Sequence, residues 1–191
     1  MVSPLKTRPS SQREAPAANP ANPEAQRLVG LAPVFDTSAR LLVLGSFPGA
    51  ASLRAAQYYA HPRNAFWPVM QALLGDAGLA AQPYAERLAA LRRRHVALWD
   101  AVAACRREGS LDTAIQAAEP SDLPELLARL PRLRAIACNG ALAYRQALLA
   151  LPDGDESRLP VLRLPSTSPA HAGLRLDDKI DAWRAALSPY L

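Results

Sequence analysis

Four short, uninterrupted apolar segments are the feature that most constrains the fold of this chain. They cover residues 40–44, 95–99, 133–138 and 161–164, and a turn-forming residue follows each of them at once. Short apolar runs of this kind are typical of strands that are covered on both faces. We therefore expect four buried strands in the middle of the fold.

Helical patterns separate these segments, at residues 65–74, 83–94, 123–130, 141–149 and 179–187. Strands that alternate with helices favour a parallel sheet between helix layers. The sequence therefore predicts an α/β fold, a three-layer α/β/α sandwich around a central parallel four-stranded sheet. Residues 1–26 hold five of the 18 prolines and almost no large apolar side chain, so we expect a disordered N-terminal tail followed by a single domain over residues 27–191.

The composition excludes several classes of site. Two cysteines, Cys105 and Cys138, are too few for a disulfide framework, a four-cysteine zinc site or an iron–sulfur cluster, and they suit a reducing, intracellular compartment. No apolar run approaches the roughly 18 residues that a membrane-spanning helix needs. The net charge of +5, carried almost entirely by arginine, permits a nucleic-acid partner.

The carboxyl ends of parallel strands meet at one edge of a sheet, and ligands bind there. The first of these ends opens a loop, residues 45–67, in which Gly45, Pro48 and Gly49 form a tight turn that lets a ligand approach the backbone. The loop continues with the stretch YYAHPRN at residues 58–64. Its aromatic, amide and guanidinium groups suit stacking on a planar ring and hydrogen bonding to the ring edge.

This loop resembles the first motif of the uracil-DNA glycosylase superfamily, and it is most similar to the family-6 branch, the hypoxanthine (deoxyinosine) DNA glycosylases. The mismatch-specific uracil/thymine glycosylases carry a related motif. The matching residues are Gly45, Pro48, Gly49, Tyr59, His61, Pro62, Asn64, Phe66 and Trp67. The second motif of the superfamily matches at Pro165, Ser166, Thr167, Ser168 and Pro169. Residues 98–112 and 138–144 are also similar to the family, so the resemblance covers roughly residues 40–187.

The resemblance implies a monofunctional DNA glycosylase of base excision repair. Such an enzyme extrudes a deaminated base from DNA, hypoxanthine first and uracil second, and hydrolyses its N-glycosidic bond. We expect a cytoplasmic, nucleoid-associated monomer that acts on DNA without a cofactor, a metal or a membrane. Because neither lysine of the chain lies in a site loop, no Schiff base and no strand cleavage are expected.

Two departures from the superfamily pattern bear on the catalytic role. The mismatch-specific enzymes place a water-orienting Asn, and family-1 enzymes an Asp, at the position of Phe47; family-1 enzymes begin the second motif with His, where this chain has Ser166. Family 6 shares both absences, and the resemblance implies that Asn64 takes over catalysis. An amide can hold a water and bond the leaving base, while backbone N–H groups stabilise developing negative charge.

The resemblance also divides the other site residues between base and DNA. The expected base-binding residues are Gly45, Ser46, Phe47, Tyr59 and Asp100. The expected DNA contacts are Pro48, Gly49, Ser166, Thr167, Ser168, Pro169, Ala170 and His171. Ala170 aligns with a bulky wedge residue of relatives, so we expect weakly assisted extrusion and a preference for mismatched or single-stranded substrate.

Several of these residues have a structural alternative. Asn64 can instead cap the helix that starts at residue 65. Of the two adjacent tyrosines, one is expected in the core, and the resemblance to the motif implies that Tyr59 is the one that stacks on the base. Asp100 can accept a hydrogen bond from a ring N–H or bond only turn amides. His171 can contact phosphate, contact the orphaned base or lie on the surface.

Three further residues are not assigned to the site. Arg106 and Arg107 are expected to be solvated at the surface, with contact to phosphate as the alternative, and Asn139 is expected to be a turn residue. The rival function is a lesion-recognising module of the same fold that no longer cleaves.

Overall fold

A computed structural model describes residues 27–151 and 159–191, and the predicted tail at residues 1–26 lies outside the described residues. In chain order the elements are β1 (Arg27–Val29), β2 (Leu41–Gly45), α1 (Ala50–Ala55), α2 (Phe66–Leu74), α3 (Tyr84–Arg93), β3 (Val96–Asp100), β4 (Val102–Arg106), β5 (Gln116–Pro120), α4 (Leu123–Ala128), β6 (Ala135–Asn139), α5 (Ala141–Ala150), β7 (Val161–Leu164) and α6 (Leu176–Leu187). Short 3-10 turns lie at Leu79–Ala81 and Asp112–Ala114.

The central sheet consists of four parallel strands in the order β3-β2-β6-β7. The two inner strands, β2 and β6, are buried along their whole length, as continuous apolar runs predict. The register brings the strand ends together, because Gly45 pairs with Asp100 and Asn139 pairs with Leu164. The predicted sheet is confirmed, and its carboxyl ends form one edge.

Helices cover both faces of this sheet. Leu41 and Val43 of β2 pack in one apolar cluster with α2, α3 and α6. Leu42 and Leu44 point to the opposite face and pack with α4 and α5. This alternation follows from the two-residue period of a strand. The three-layer α/β/α sandwich is therefore confirmed.

The sequence does not predict a second, antiparallel sheet with the order β1-β4-β5. Strand β5 is exposed along its whole length and carries no apolar pattern, so nothing in its residues indicates a strand. A single residue, Ala101, separates β3 from β4, and the chain turns from the central sheet into the second sheet at that point. This turn brings the residues that follow β4 back to the carboxyl edge of the central sheet.

Other expectations concern single residues and absences. Cys105 and Cys138 are buried free thiols. Over residues 27–151 and 159–191, no helix is long and apolar enough to cross a membrane. In the same ranges, no group of three His, Cys, Asp or Glu side chains is placed to hold a metal ion.

Candidate active site

A cavity of about 110 Å³ opens at the carboxyl ends of β2, β3 and β6. The loops after these strands and the loop after β7 line it. Of the fourteen predicted site residues, the structure brings together twelve in this cavity: Gly45, Ser46, Phe47, Pro48, Gly49, Tyr59, Asn64, Asp100, Ser166, Thr167, Ser168 and Pro169. Ala170 and His171 do not line it, whereas Ser110, Asp112 and Asn139 line it without having been predicted.

The floor of the cavity depends on the absence of a side chain at Gly45. A Cβ atom placed there would collide with Oδ1 of Asp100 and lie 3.2 Å from Oη of Tyr59. A glycine therefore lets both side chains approach the backbone of β2 at the point where the strand ends. Neither Oδ2 of Asp100 nor Oη of Tyr59 has a hydrogen-bond partner in the part of the chain that the structure describes, although both atoms are buried.

Asp100 is the carboxyl group whose protonation the site most perturbs. The side chain is buried, and burial raises its pKa to about 7, with a further upward contribution from the nearby Asp112 carboxylate. The Arg107 guanidinium acts in the opposite direction. Burial disfavours the charged form of a carboxyl group because a low-dielectric surrounding solvates charge poorly. Asp100 thus changes charge near neutral pH, which is the range that suits acid–base or base-reading chemistry.

The two adjacent tyrosines occupy different places, and Tyr58 lies in the core as predicted. Tyr58 is buried in the core, and its hydroxyl donates to the backbone carbonyl of Ala32 at 3.1 Å. Tyr59 is half-buried and lines the cavity, with its ring stacked on Phe66 at a centroid distance of 3.9 Å. The backbone of Tyr59 has a φ of 55°, in the left-handed region that non-glycine residues rarely adopt. Strain of this kind concentrates at functional sites, where neighbouring structure holds it in place.

The expectation that Arg107 is solvated is wrong. Arg107 is only 6% exposed, its Nη2 donates to the carbonyl of Pro48 at 2.5 Å, and its guanidinium lies 4.9 Å from the Phe47 ring centroid. The second sheet carries Arg107 to this place, and the sequence does not predict that sheet. Arg107 therefore supports the tight turn after β2 from behind.

Asn64 combines a structural contact with a place in the cavity. Its Oδ1 accepts a hydrogen bond from the backbone N–H of Phe66 at 2.9 Å, so the side chain does support the first turn of α2. The helix itself begins at Phe66, one residue later than the predicted start. Asn64 is half-buried and lines the cavity. An amide oxygen has a second lone pair, and its NH₂ group carries two donors, so the helix contact leaves most of its hydrogen-bonding capacity unused.

Asn139 is a buried structural link rather than only a turn residue. Its Nδ2 donates to Oγ1 of Thr167 at 2.8 Å, and its Oδ1 accepts from the backbone N–H of Thr167 at 2.9 Å. The carbonyl of Thr167 in turn accepts from the backbone N–H of Ala65 at 3.0 Å. One buried threonine thus joins the end of β6, the loop after β7 and the residue that follows Asn64.

The outer part of the loop after β7 is built from short side-chain contacts to the backbone. The hydroxyl of Ser168 accepts from the N–H of Ala170 at 3.2 Å, and the carbonyl of His171 accepts from Nζ of Lys179 at 3.0 Å. Ala170 and His171 are both exposed. Lys179 is buried, and burial lowers its pKa. Lys179 lines a second groove beside the first cavity, together with Arg63 and His171. No motif in the sequence indicates this position for Lys179.

Substitution of Thr167 by Val tests the link between these loops. The change removes the hydroxyl that accepts from Asn139 and leaves a buried amide without that partner, so we expect a loss of about 1–3 kcal/mol in the free energy of unfolding. Chemical denaturation measures this loss. The exposed Thr37→Val serves as the matched control, and Thr167→Ser should restore most of the stability. Equal effects of Thr167→Val and Thr37→Val would contradict the link.

Comparisons with known proteins agree with this geometry. The model of the family described as the uracil DNA glycosylase superfamily matches residues 32–187. A protein of Methanosarcina barkeri named hypoxanthine DNA glycosylase is 40% identical over 111 residues, which is 58% of this chain and 70% of the relative. A Methanosarcina acetivorans protein of the same name is 35% identical over 142 residues, or 74% of this chain and 87% of the relative.

A solved structure shares the fold. The solution NMR structure of a candidate uracil DNA glycosylase from Methanosarcina acetivorans superposes with a TM-score of 0.74 at 31% sequence identity. The superposition covers 86% of this chain and 99% of that protein.

Proposed function

The chain belongs to the uracil DNA glycosylase superfamily, and from this premise we propose that it is a monofunctional DNA glycosylase of base excision repair. It takes up a deaminated base that has been extruded from DNA, hypoxanthine first and uracil second, and hydrolyses the N-glycosidic bond. The two relatives named hypoxanthine DNA glycosylase support the glycosylase activity and the choice of the first base. The working form in this proposal is a nucleoid-associated monomer.

The observation that carries the proposal is the pair of buried polar atoms at the floor of the cavity, Oδ2 of Asp100 and Oη of Tyr59. Burying a polar atom without a hydrogen bond costs free energy, so such atoms are expected to find their partner in a ligand. Deamination supplies that partner, because it places a hydrogen on a ring nitrogen of hypoxanthine or uracil that adenine and cytosine lack. The ionised carboxylate of Asp100 accepts from that N–H and repels an unprotonated ring nitrogen.

Tyr59 supplies the stacking surface for the base in this proposal. Its ring is held from behind by Phe66, so one aromatic face is already supported before the substrate arrives. Stacking of a base on an aromatic side chain contributes about 1–3 kcal/mol and depends little on which base is stacked. Tyr59 therefore contributes affinity, while Asp100 contributes the choice between a deaminated base and the adenine or cytosine from which it arises.

The chemistry needs little more than positioned polar groups. The bond between the sugar C1′ and the base nitrogen breaks, a water oxygen adds to C1′, and the base leaves with a proton that the water supplies. The sugar becomes cation-like in the transition state, and negative charge develops on the base. Asn64 holds the water and donates to the base, while backbone N–H groups of the turn after β2 stabilise the developing charge.

A single-turnover assay on a duplex that contains inosine tests the proposal. We expect release of hypoxanthine and an abasic site, with the strand intact until alkali is added, because the amine of Lys179 is bonded to the carbonyl of His171 and lines the second groove rather than the base cavity. Denaturing gels run with and without alkali measure both results. Relative rates on inosine and uracil duplexes give the order of the bases.

Three outcomes would contradict parts of this proposal. Binding of the inosine duplex without any base release would favour the rival function, a lesion-recognising module, which the side chains of Phe47 and Ser166 keep open. Strand cleavage without alkali would contradict the monofunctional mechanism. A faster reaction on uracil than on inosine would reverse the order of the bases.

A further inference from the structure

Leu111 is a large apolar side chain placed at the edge of the base cavity. The residues on both sides of it, Ser110 and Asp112, line the cavity, while Leu111 itself is 55% exposed. An isolated exposed leucine is ordinary on a protein surface. This one is notable for its position, because the segment that carries it borders the opening through which an extruded base would enter.

Hydrogen bonds hold the segment on both sides of Leu111. The hydroxyl of Ser110 accepts from the backbone N–H of Ala50 at 3.0 Å, and Oδ1 of Asp112 accepts from the hydroxyl of Ser46 at 2.8 Å. The carbonyl of Leu111 accepts from the N–H of Ala114 at 3.1 Å, which closes the 3-10 turn. Both side-chain contacts lead to the loop after β2. The leucine is therefore presented to solvent from an ordered part of the cavity wall.

A base extruded from a duplex leaves a gap that proteins commonly fill with an apolar side chain. In the loop after β7, the position that aligns with the wedge residue of relatives is Ala170, whose side chain is a single methyl group. The sequence-based expectation of weak extrusion rests on that residue alone. The structure adds a second loop that borders the same cavity, and its exposed Leu111 side chain has the size that Ala170 lacks.

We propose that Leu111 enters the base stack of duplex DNA and fills the place of the extruded nucleotide. The proposal rests on the proposed glycosylase function and adds to it the side chain that drives extrusion. The occupant of this apolar surface is thus the base stack next to the target nucleotide. Arg63 and Lys179, which line the second groove beside the cavity, supply positive groups for the phosphates of the same duplex.

Leu111→Ala tests this role through the difference between duplex and single-stranded substrate. A single strand has no stable stack to fill, so we expect the single-turnover rate on an inosine duplex to fall at least tenfold more than the rate on an inosine single strand. Leu111→Met should keep most of the duplex rate. Leu149→Ala is the matched control, since Leu149 is 80% exposed near the end of α5 and lines neither the cavity nor the second groove.

A second readout does not depend on cleavage. A duplex with 2-aminopurine next to the inosine becomes more fluorescent when the neighbouring stack opens, and Leu111→Ala should reduce that increase while Leu149→Ala should not. Equal losses of rate on duplex and single strand would overturn the proposal, because they would show that Leu111 only supports the cavity. An unchanged duplex rate would overturn it as well.

If the unaltered protein cleaves neither substrate, the proposed glycosylase function fails. The fluorescence comparison then decides the proposal for Leu111 by itself. An increase with the unaltered protein that Leu111→Ala reduces would support it, and an absent or equal increase would overturn it.

Discussion

Replacing Asn64 by Ala should lower the single-turnover rate on an inosine duplex by about a hundredfold or more, which is the scale seen when one transition-state hydrogen-bond donor is removed. The side chain lines the cavity, and only one of the two lone pairs of its Oδ1 is used by the N–H of Phe66. The remaining lone pair and the NH₂ group are available for a water and for the leaving base. DNA affinity should change little, because Asn64 acts on the reacting bond.

The helix contact requires a control for stability. Loss of the hydrogen bond to Phe66 should cost about 0.5–2 kcal/mol in Asn64→Ala. Asn64→Ser and Asn64→Asp keep an oxygen that can accept from that N–H, so both should unfold close to the unaltered protein. Serine is too short to reach a base held against Tyr59, and aspartate lacks the NH₂ donors, so both should remain slow.

The two variants also separate the parts of the proposed role. Chemical denaturation and single-turnover rates measured on the same preparations would show whether the loss of rate follows the loss of stability. An Asn64→Ser protein that is stable and fully active would contradict a catalytic role and leave Asn64 as a support of α2.

The central sheet and its edge could be predicted because strands that are buried on both faces consist of continuous apolar runs, which are visible in the local sequence. Strands β2 and β6 consist of continuous apolar runs. The residues at their carboxyl ends lie at the edge of the parallel sheet, where functional loops are close together. The resemblance in the loops after β2 and β7 added the candidate residues at fixed spacing. Eleven of them, together with Asp100 at the end of β3, meet in one cavity because these strand ends share the same edge.

The supporting contacts could not be predicted, because their causes lie in distant parts of the chain. Strand β5 is exposed and has no apolar pattern, so the sequence does not indicate the second sheet. That sheet carries Arg107 beneath the turn after β2. Asn139 looks like an ordinary turn residue until the loop after β7 brings Thr167 against it. Lys179 is one of five charged residues of α6, and its hydrogen-bond partner, the carbonyl of His171, belongs to the loop after β7.

Asp100→Asn should change how stability depends on pH. The carboxyl is buried, and its pKa in the folded protein is raised from 3.8 to about 7. Between these two values the folded protein holds a proton that the unfolded chain has released, so rising pH destabilises the fold through this group. Below about pH 4 both states are protonated, and above about pH 7 both are ionised, so the contribution is constant outside that window.

The expected size of this contribution is on the order of a few kcal/mol, because each unit of pKa difference corresponds to about 1.4 kcal/mol. Urea denaturation from pH 4 to pH 8 measures it as the difference between Asp100→Asn and the unaltered protein. That difference should move in favour of the variant as the pH rises, since asparagine never acquires the buried charge. Other titrating groups are present in both proteins, so their contributions cancel in the difference.

The exposed Asp177→Asn is the matched control, and it should leave the pH dependence of the unaltered protein in place. If the curves for Asp100→Asn and the unaltered protein run parallel from pH 4 to pH 8, the carboxyl is not held in its protonated form by burial. A result of that kind would also weaken the proposed recognition of the base by Asp100. A carboxyl group that water already solvates does not need a ring N–H as its hydrogen-bond partner. A difference that shifts in favour of Asp100→Asn as the pH rises would instead show that the fold tolerates a costly group at the floor of the cavity, as expected where a side chain is kept for its ligand.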